Sequence, residues 1–100
     1  MAFKIKTEPE AHDDIQDGID WYNKQKSGLG RKFHSEVKAY IKKLKTNPFF
    51  QVRYDDVHCL PLKKFPHMIH FTINETDKIV TIKAVFGTKE DPEKWTKRNK

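Results

Sequence analysis

Phe3-Lys4-Ile5-Lys6 alternates apolar and polar side chains, the two-residue period of a short strand. The period then changes. Ala11, Ile15, Gly18, Ile19 and Tyr22 recur at helical spacing and form one apolar stripe. Thr7 is the expected cap of this helix, with Glu10 completing a capping box and Pro9 accommodated in the first turn. Ser27-Gly28-Leu29-Gly30 breaks it. A second helix carries Leu29, Phe33, Val37, Tyr40, Ile41 and Leu44 on one face and Arg31, Lys38, Lys42 and Lys45 on the other. It ends at Asn47-Pro48, because a residue before proline is pushed out of helical geometry.

From Phe50 onward the period returns toward two. Val52–Tyr54 reads as a strand, Asp55-Asp56 as a turn, and residues 57–64 as an extended run in which Pro61 calls for an edge position or a bulge. Ile69, Phe71 and Ile73 alternate with Met68, His70 and Thr72; Val80, Ile82, Ala84 and Phe86 alternate with Ile79, Thr81, Lys83 and Val85. Asn74-Glu75-Thr76-Asp77 supplies a turn between them. Pairing Ile73 with Lys78 places Phe71 opposite Val80 and Ile69 opposite Ile82 on a core side. His70 then faces Thr81, and Met68 faces Lys83, on the other side. Asp91-Pro92-Glu93-Lys94-Trp95 reads as a short terminal helix. The expected fold class is α+β: an N-terminal strand, a helical hairpin, then an antiparallel sheet of three to four strands. The helices cover one sheet face and leave the other open.

One hundred residues are enough for one domain, 1–100, with one modest core. Cys59 is the only cysteine, which excludes an internal disulfide and a Cys-rich zinc site. The first residues lack the apolar core of a signal peptide, and no apolar run nears the ~18 residues that span a bilayer. The expectation is therefore a cytoplasmic protein with no membrane partner. The net charge of +6 favours an anionic partner. It is unevenly placed. Residues 1–23 carry two lysines against six carboxylates, and residues 24–45 carry eight cations against Glu36 alone.

The sequence holds no Gly-rich phosphate loop and no nucleophile elbow, and its five histidines are not at a metal-binding spacing, so neither a metal nor a cofactor is expected. What is left is a basic set: Lys63, Lys64, His70, Lys83, Lys89 and Arg98. Cleavage of RNA by its own 2′-hydroxyl needs a base, positive charge on the crowded phosphate and an acid for the leaving oxygen. Lysines and arginine supply the charge, His70 can move a proton near neutral pH, and Trp95 can stack on a base. The plain alternative for each is a solvated cation, a half-buried sheet histidine and a hydrophobic clamp. Tyr22, Leu29 and Phe33, with the strand edge near Phe50, are candidates for an apolar strip that receives a partner segment, unless core packing takes them up.

Several fragments in order give the chain a resemblance. Trp21-Tyr22, Gly28-Leu29-Gly30 with Phe33, Asn47-Pro48, Leu62 with Phe65-Pro66-His67-Met68-Ile69, and Ala84-Val85-Phe86 with Asp91-Pro92, Trp95 and Arg98 resemble the RelE/ParE superfamily of type II toxin–antitoxin toxins, nearest its ParE-like, plasmid-stabilisation branch. The resemblance implies a toxin neutralised by a cognate antitoxin. RelE-like members cut mRNA in the ribosomal A site, whereas ParE-like members poison DNA gyrase. Carried over position by position, an arginine of the RNA-cleaving branch falls on Met68. A second falls on Lys89, which keeps the charge and loses the planar fork. A tyrosine falls on Trp95. The plasmid-stabilisation branch's histidine and arginine fall on Gly87 and Glu90. The expectation is a toxin that binds a protein target, with DNA gyrase as the first candidate. The alternatives are a ribosome-dependent mRNA endonuclease using Lys89, His70 and Lys83, and an inactive module that only binds its antitoxin. Lys63, Lys64, Trp95 and Arg98 are the expected target or RNA contacts, and Tyr22, Leu29 and Phe33 the expected antitoxin contacts.

Overall fold

The computed structural model describes residues 2–49, 52–54 and 56–87. Strand β1 (Lys4–Thr7) leads into helix α1 (Pro9–Gln25), and helix α2 (Leu29–Leu44) packs against it. Four strands follow: β2 (Val52–Tyr54), β3 (Val57–Pro61), β4 (His67–Asn74) and β5 (Ile79–Gly87). The five strands make one sheet in the order β1-β5-β4-β3-β2. β2 to β5 form the expected antiparallel run. β1 adds a fifth, parallel strand beside β5, with Ile5 next to Val80 and Thr7 next to Ile82.

That parallel pairing moves the start of α1. The backbone N–H of Glu8 donates to the Ile82 carbonyl at 3.0 Å, so Thr7 stays in the strand and Glu8 becomes the N-cap. No side chain caps the helix, and the expected Thr7 capping box does not form. Pro9 does occupy the first turn, where a missing N–H costs nothing. Gly28 precedes α2 at φ 86°, a left-handed conformation in which an L side chain is strained. The two helices approach closely because Gly18 and Gly30 face each other's helix without side chains. A methyl added at Gly18 would sit 2.5 Å from Phe33 Cε2, and one at Gly30 would press on the Ile19 carbonyl.

Between helices and sheet lies the main core: Ala11, Ile15, Phe33, Val37 and Leu44 meet Leu60, Leu62, Phe65, Ile69, Phe71, Val80, Ile82 and Val85. The stripes read from periodicity supply most of it. The strand register differs from the expected one. Asn74 pairs with Ile79, so Ile73 meets Val80 and Phe71 meets Ile82. The turn sets this. Asn74 Oδ1 accepts the Asp77 N–H at 3.0 Å, and Lys78 takes φ 57°, so Lys78 belongs to the loop and not to the ladder. The register slips again between His70 and Phe71, leaving Lys83 without a partner across the ladder. One extra residue reverses the alternation. Val85 therefore joins Val80 and Ile82 in the core, while Ala84 and Phe86 turn to the far face beside His70 and Met68.

The far face is not open, contrary to the sequence-based expectation. His70 is fully buried, and Val57, Cys59, Met68, Ala84 and Phe86 are buried with it. The bulge turns Ala84 and Phe86 to this face, and burying their apolar area is favourable by about 25 cal/mol per Å². Pro61 closes β3 as its exposed last residue, paired with Met68 of β4 and beyond the Val57 and His58 positions that pair with β2. The terminal helix expected at residues 91–95 and the edge residue Phe50 lie outside the described residues. No helix among the described residues is long and apolar enough to cross a membrane.

Candidate functional site

The 3.6-residue period puts Asp14, Asp17 and Trp21 on one flank of α1, at i, i+3 and i+7. That flank overlooks the end of the sheet where β4 begins and β5 finishes. Between them is a cleft of about 460 Å³. Its helix wall carries Asp14, Asp17, Trp21 and Tyr22; Pro66, His67 and the Val85-Phe86-Gly87 segment form the other side. Gly18 lies between the carboxylates and the aromatics on this wall, at the position where an added methyl would meet the Phe33 ring of α2. Trp21 stands at the rim with 58% of its surface exposed.

The walls are held by specific contacts. Asp14 Oδ2 accepts the Val85 backbone N–H at 3.0 Å, joining α1 to β5. The Tyr22 hydroxyl and His67 Nδ1 are 3.2 Å apart, joining α1 to β4. Around that pair the rings of Tyr22, Phe33, Phe65 and His67 pack with centroids 4.8–5.6 Å apart, mostly tilted or edge-on. Such geometry sets the positive ring edge against the negative face. Burial pushes the Tyr22 phenol above its ordinary value, so it stays protonated and able to donate at neutral pH.

The expected site residues are dispersed. His70 lies inside the far face, its Nδ1 3.5 Å from Cys59 Sγ and its ring edge-on to Phe86. Lys83, at the bulge, bonds Glu8 Oε2 at 3.2 Å. Lys63 and Lys64 occupy the β3–β4 connection, with exposed side chains, and both backbone N–H groups donate to Glu36 Oε1 of α2 at 2.8 and 2.9 Å. Lys89, Trp95 and Arg98 lie outside the described residues. Of the expected antitoxin contacts, Phe33 is fully buried in the core and offers no surface, which corrects that assignment; Tyr22 and Leu29 are half-buried. What sequence reasoning missed is the acidic, aromatic flank of Asp14, Asp17 and Trp21. Its i, i+3, i+7 spacing was the available signal, but nothing local in the sequence shows that this flank faces the end of the sheet.

No protein-family model matches the sequence, and no curated protein matches it. Solved structures do resemble the fold. The chromosomal ParDE toxin–antitoxin system of P. aeruginosa aligns with a TM-score of 0.76 at 16% identity, over 86% of this chain and 96% of that one. A free E. coli RelE toxin carrying two arginine-to-alanine changes aligns at 0.73 and 13% identity, over 99% and 96%. The RelE–RelB complex of the archaeon Pyrococcus horikoshii aligns at 0.59 and 10% identity, over 91% and 100%. At these identities the likeness is one of fold: this chain has the architecture of RelE and ParE toxins.

Proposed function

We propose that the chain is the toxin component of a bacterial type II toxin–antitoxin system, arresting growth by binding a cellular protein, with DNA gyrase as the first candidate, and held inactive by a cognate antitoxin. The fold supports the toxin reading. One observation favours binding over RNA cleavage. The resemblance puts a phosphate-stabilising arginine at Met68, and Met68 is an apolar thioether with 6% of its surface exposed, paired with Phe86. Such a side chain can neither meet a phosphate nor share its charge. His70, two residues on, is fully buried as well, and a general base must come within about 3 Å of the proton it removes.

The experiment is induced expression without the antitoxin, paired with purified protein added to translating ribosomes on a defined mRNA. Growth arrest with intact mRNA is the expected result. A-site cleavage that disappears in a Lys89→Ala/His70→Ala double variant establishes the endonuclease reading instead. Harmless expression of folded protein leaves only the antitoxin-binding module.

A further inference from the structure

We propose that the outer surface of the helix layer is a contact for a second copy of this chain, joined about a two-fold axis that sets α1 of each copy on α2 of the other. The inference goes beyond the toxin reading and does not depend on it. Its first support is the charge that the two helices present. On α1, Asp13, Asp17 and Asp20 recur at i, i+4 and i+7, away from the buried Ala11, Ile15 and Gly18. On α2, Arg31, Lys38 and Lys42 recur at i, i+7 and i+11, away from the buried Phe33, Val37 and Leu44. All six charged side chains are exposed, and none takes part in an ion pair among the described residues. An acidic ridge therefore runs beside a basic one, about 10 Å away. A polyanion on the basic ridge would be repelled by the acidic one, and a basic peptide meets the reverse. A guest that satisfies both ridges must itself carry an acidic ridge beside a basic one, and this helix pair is such a surface.

The second support is register. Phe33 lies against Gly18 and Tyr22, and Gly30 against Ile19 and Asn23. These contacts put Asp20 level with Arg31, Asp17 between Arg31 and Lys38, and Asp13 between Lys38 and Lys42. A two-fold axis parallel to the helices keeps each residue at its own height and exchanges α1 for α2 across the interface. Each carboxylate then faces a cation of the other copy, and the contact is made twice. The third support is size. Helices of 17 and 16 residues give a layer about 25 Å long and about 20 Å wide, so each copy would cover about 500 Å². The total of about 1,000 Å² lies in the range of transient contacts, which makes this a weak, exchanging dimer. The net charge of +6 on each copy opposes the approach, but at ~0.15 M salt charges more than ~8 Å apart are largely screened, whereas the ridges meet at contact.

The test is sedimentation equilibrium of the full chain from about 10 µM to about 1 mM, with circular dichroism and amide NMR spectra confirming the fold of each variant. The expected dissociation constant is on the order of 100 µM at ~150 mM NaCl and at least about threefold higher at ~500 mM. Asp13→Lys/Asp17→Lys and Lys38→Glu/Lys42→Glu each leave two ridges of like charge, so each variant alone should be monomeric. Mixed in equal amounts, they should form a heterodimer about as tight as the unaltered pair, because each brings the ridge that the other lacks. An unaltered chain still monomeric at about 1 mM overturns the proposal and leaves this surface to a different partner. Association that strengthens with salt, that either variant retains alone, or that the mixture fails to restore overturns it as well. Neither growth arrest nor an antitoxin enters the measurement, so its failure is separable from failure of the toxin reading.

Discussion

The Tyr22 hydroxyl meets His67 Nδ1 at 3.2 Å, linking the last turns of α1 to the first residue of β4. The same ring packs on Phe33 and Phe65, so one residue connects both helices to the sheet. Tyr22→Phe keeps the ring and deletes the bond. The expected loss is about 0.5–1.5 kcal/mol, read as a lower denaturation midpoint at constant slope.

Alkaline titration gives an independent check on Tyr22. Burial raises its phenol pKa in the folded chain. Above about pH 10 the unfolded chain therefore loses this proton first and binds fewer protons than the native one. The stabilisation is fully present below that pH and is lost as pH rises through the raised folded value. Stability against pH, measured by urea denaturation, should fall less steeply there in Tyr22→Phe; superimposable profiles contradict the assignment.

Gly18 tests the close approach of the helices. Alanine normally favours a helix over glycine by about 1 kcal/mol. Here the added methyl would lie 2.5 Å and 2.8 Å from the Phe33 ring, and overpacking costs roughly 1–3 kcal/mol. Gly18→Ala should therefore destabilise on balance, and less so in a Phe33→Leu background. Additive effects in that double-mutant cycle would show that the two positions are not coupled.

Glu36 is the one acid in a strongly basic stretch, and its Oε1 holds the Lys63 and Lys64 N–H groups. Glu36→Ala should cost about 1.5–3 kcal/mol, the range for bonds to a charged group, with Glu36→Gln recovering part of it. Equal midpoints for wild type and Glu36→Ala would mean that the turn holds without this carboxylate.

The helices were legible because amphipathic period and glycine punctuation act locally. Ala11, Ile15, Val37 and Leu44 reached the core as their spacing required. The strand types were legible for the same reason. What failed depended on long-range partners. β1 pairing with β5 kept Thr7 extended and took its capping role away. Lys83 became a bulge, and that single extra residue moved Ala84 and Phe86 to the face that alternation had left open. His70 read as a surface base because nothing in its own strand announces that the face is covered. The cleft escaped notice because its aspartates come from α1, while its opposite wall lies some 50–70 positions on.

Lys83 separates the binding and cleavage readings. Its pair with Glu8 is partly exposed, at 28% and 39% for the two side chains, so Lys83→Met should cost less than about 1 kcal/mol. Under the binding reading growth arrest persists. Loss of arrest with the denaturation midpoint unchanged would point to cleavage chemistry at Lys83.

Gyrase-catalysed supercoiling of relaxed plasmid, titrated with the purified chain, bears most directly on the proposed function. Inhibition that grows with protein concentration, and that the cognate antitoxin reverses, is the expected result. Full supercoiling at micromolar excess of folded protein would contradict gyrase as the target.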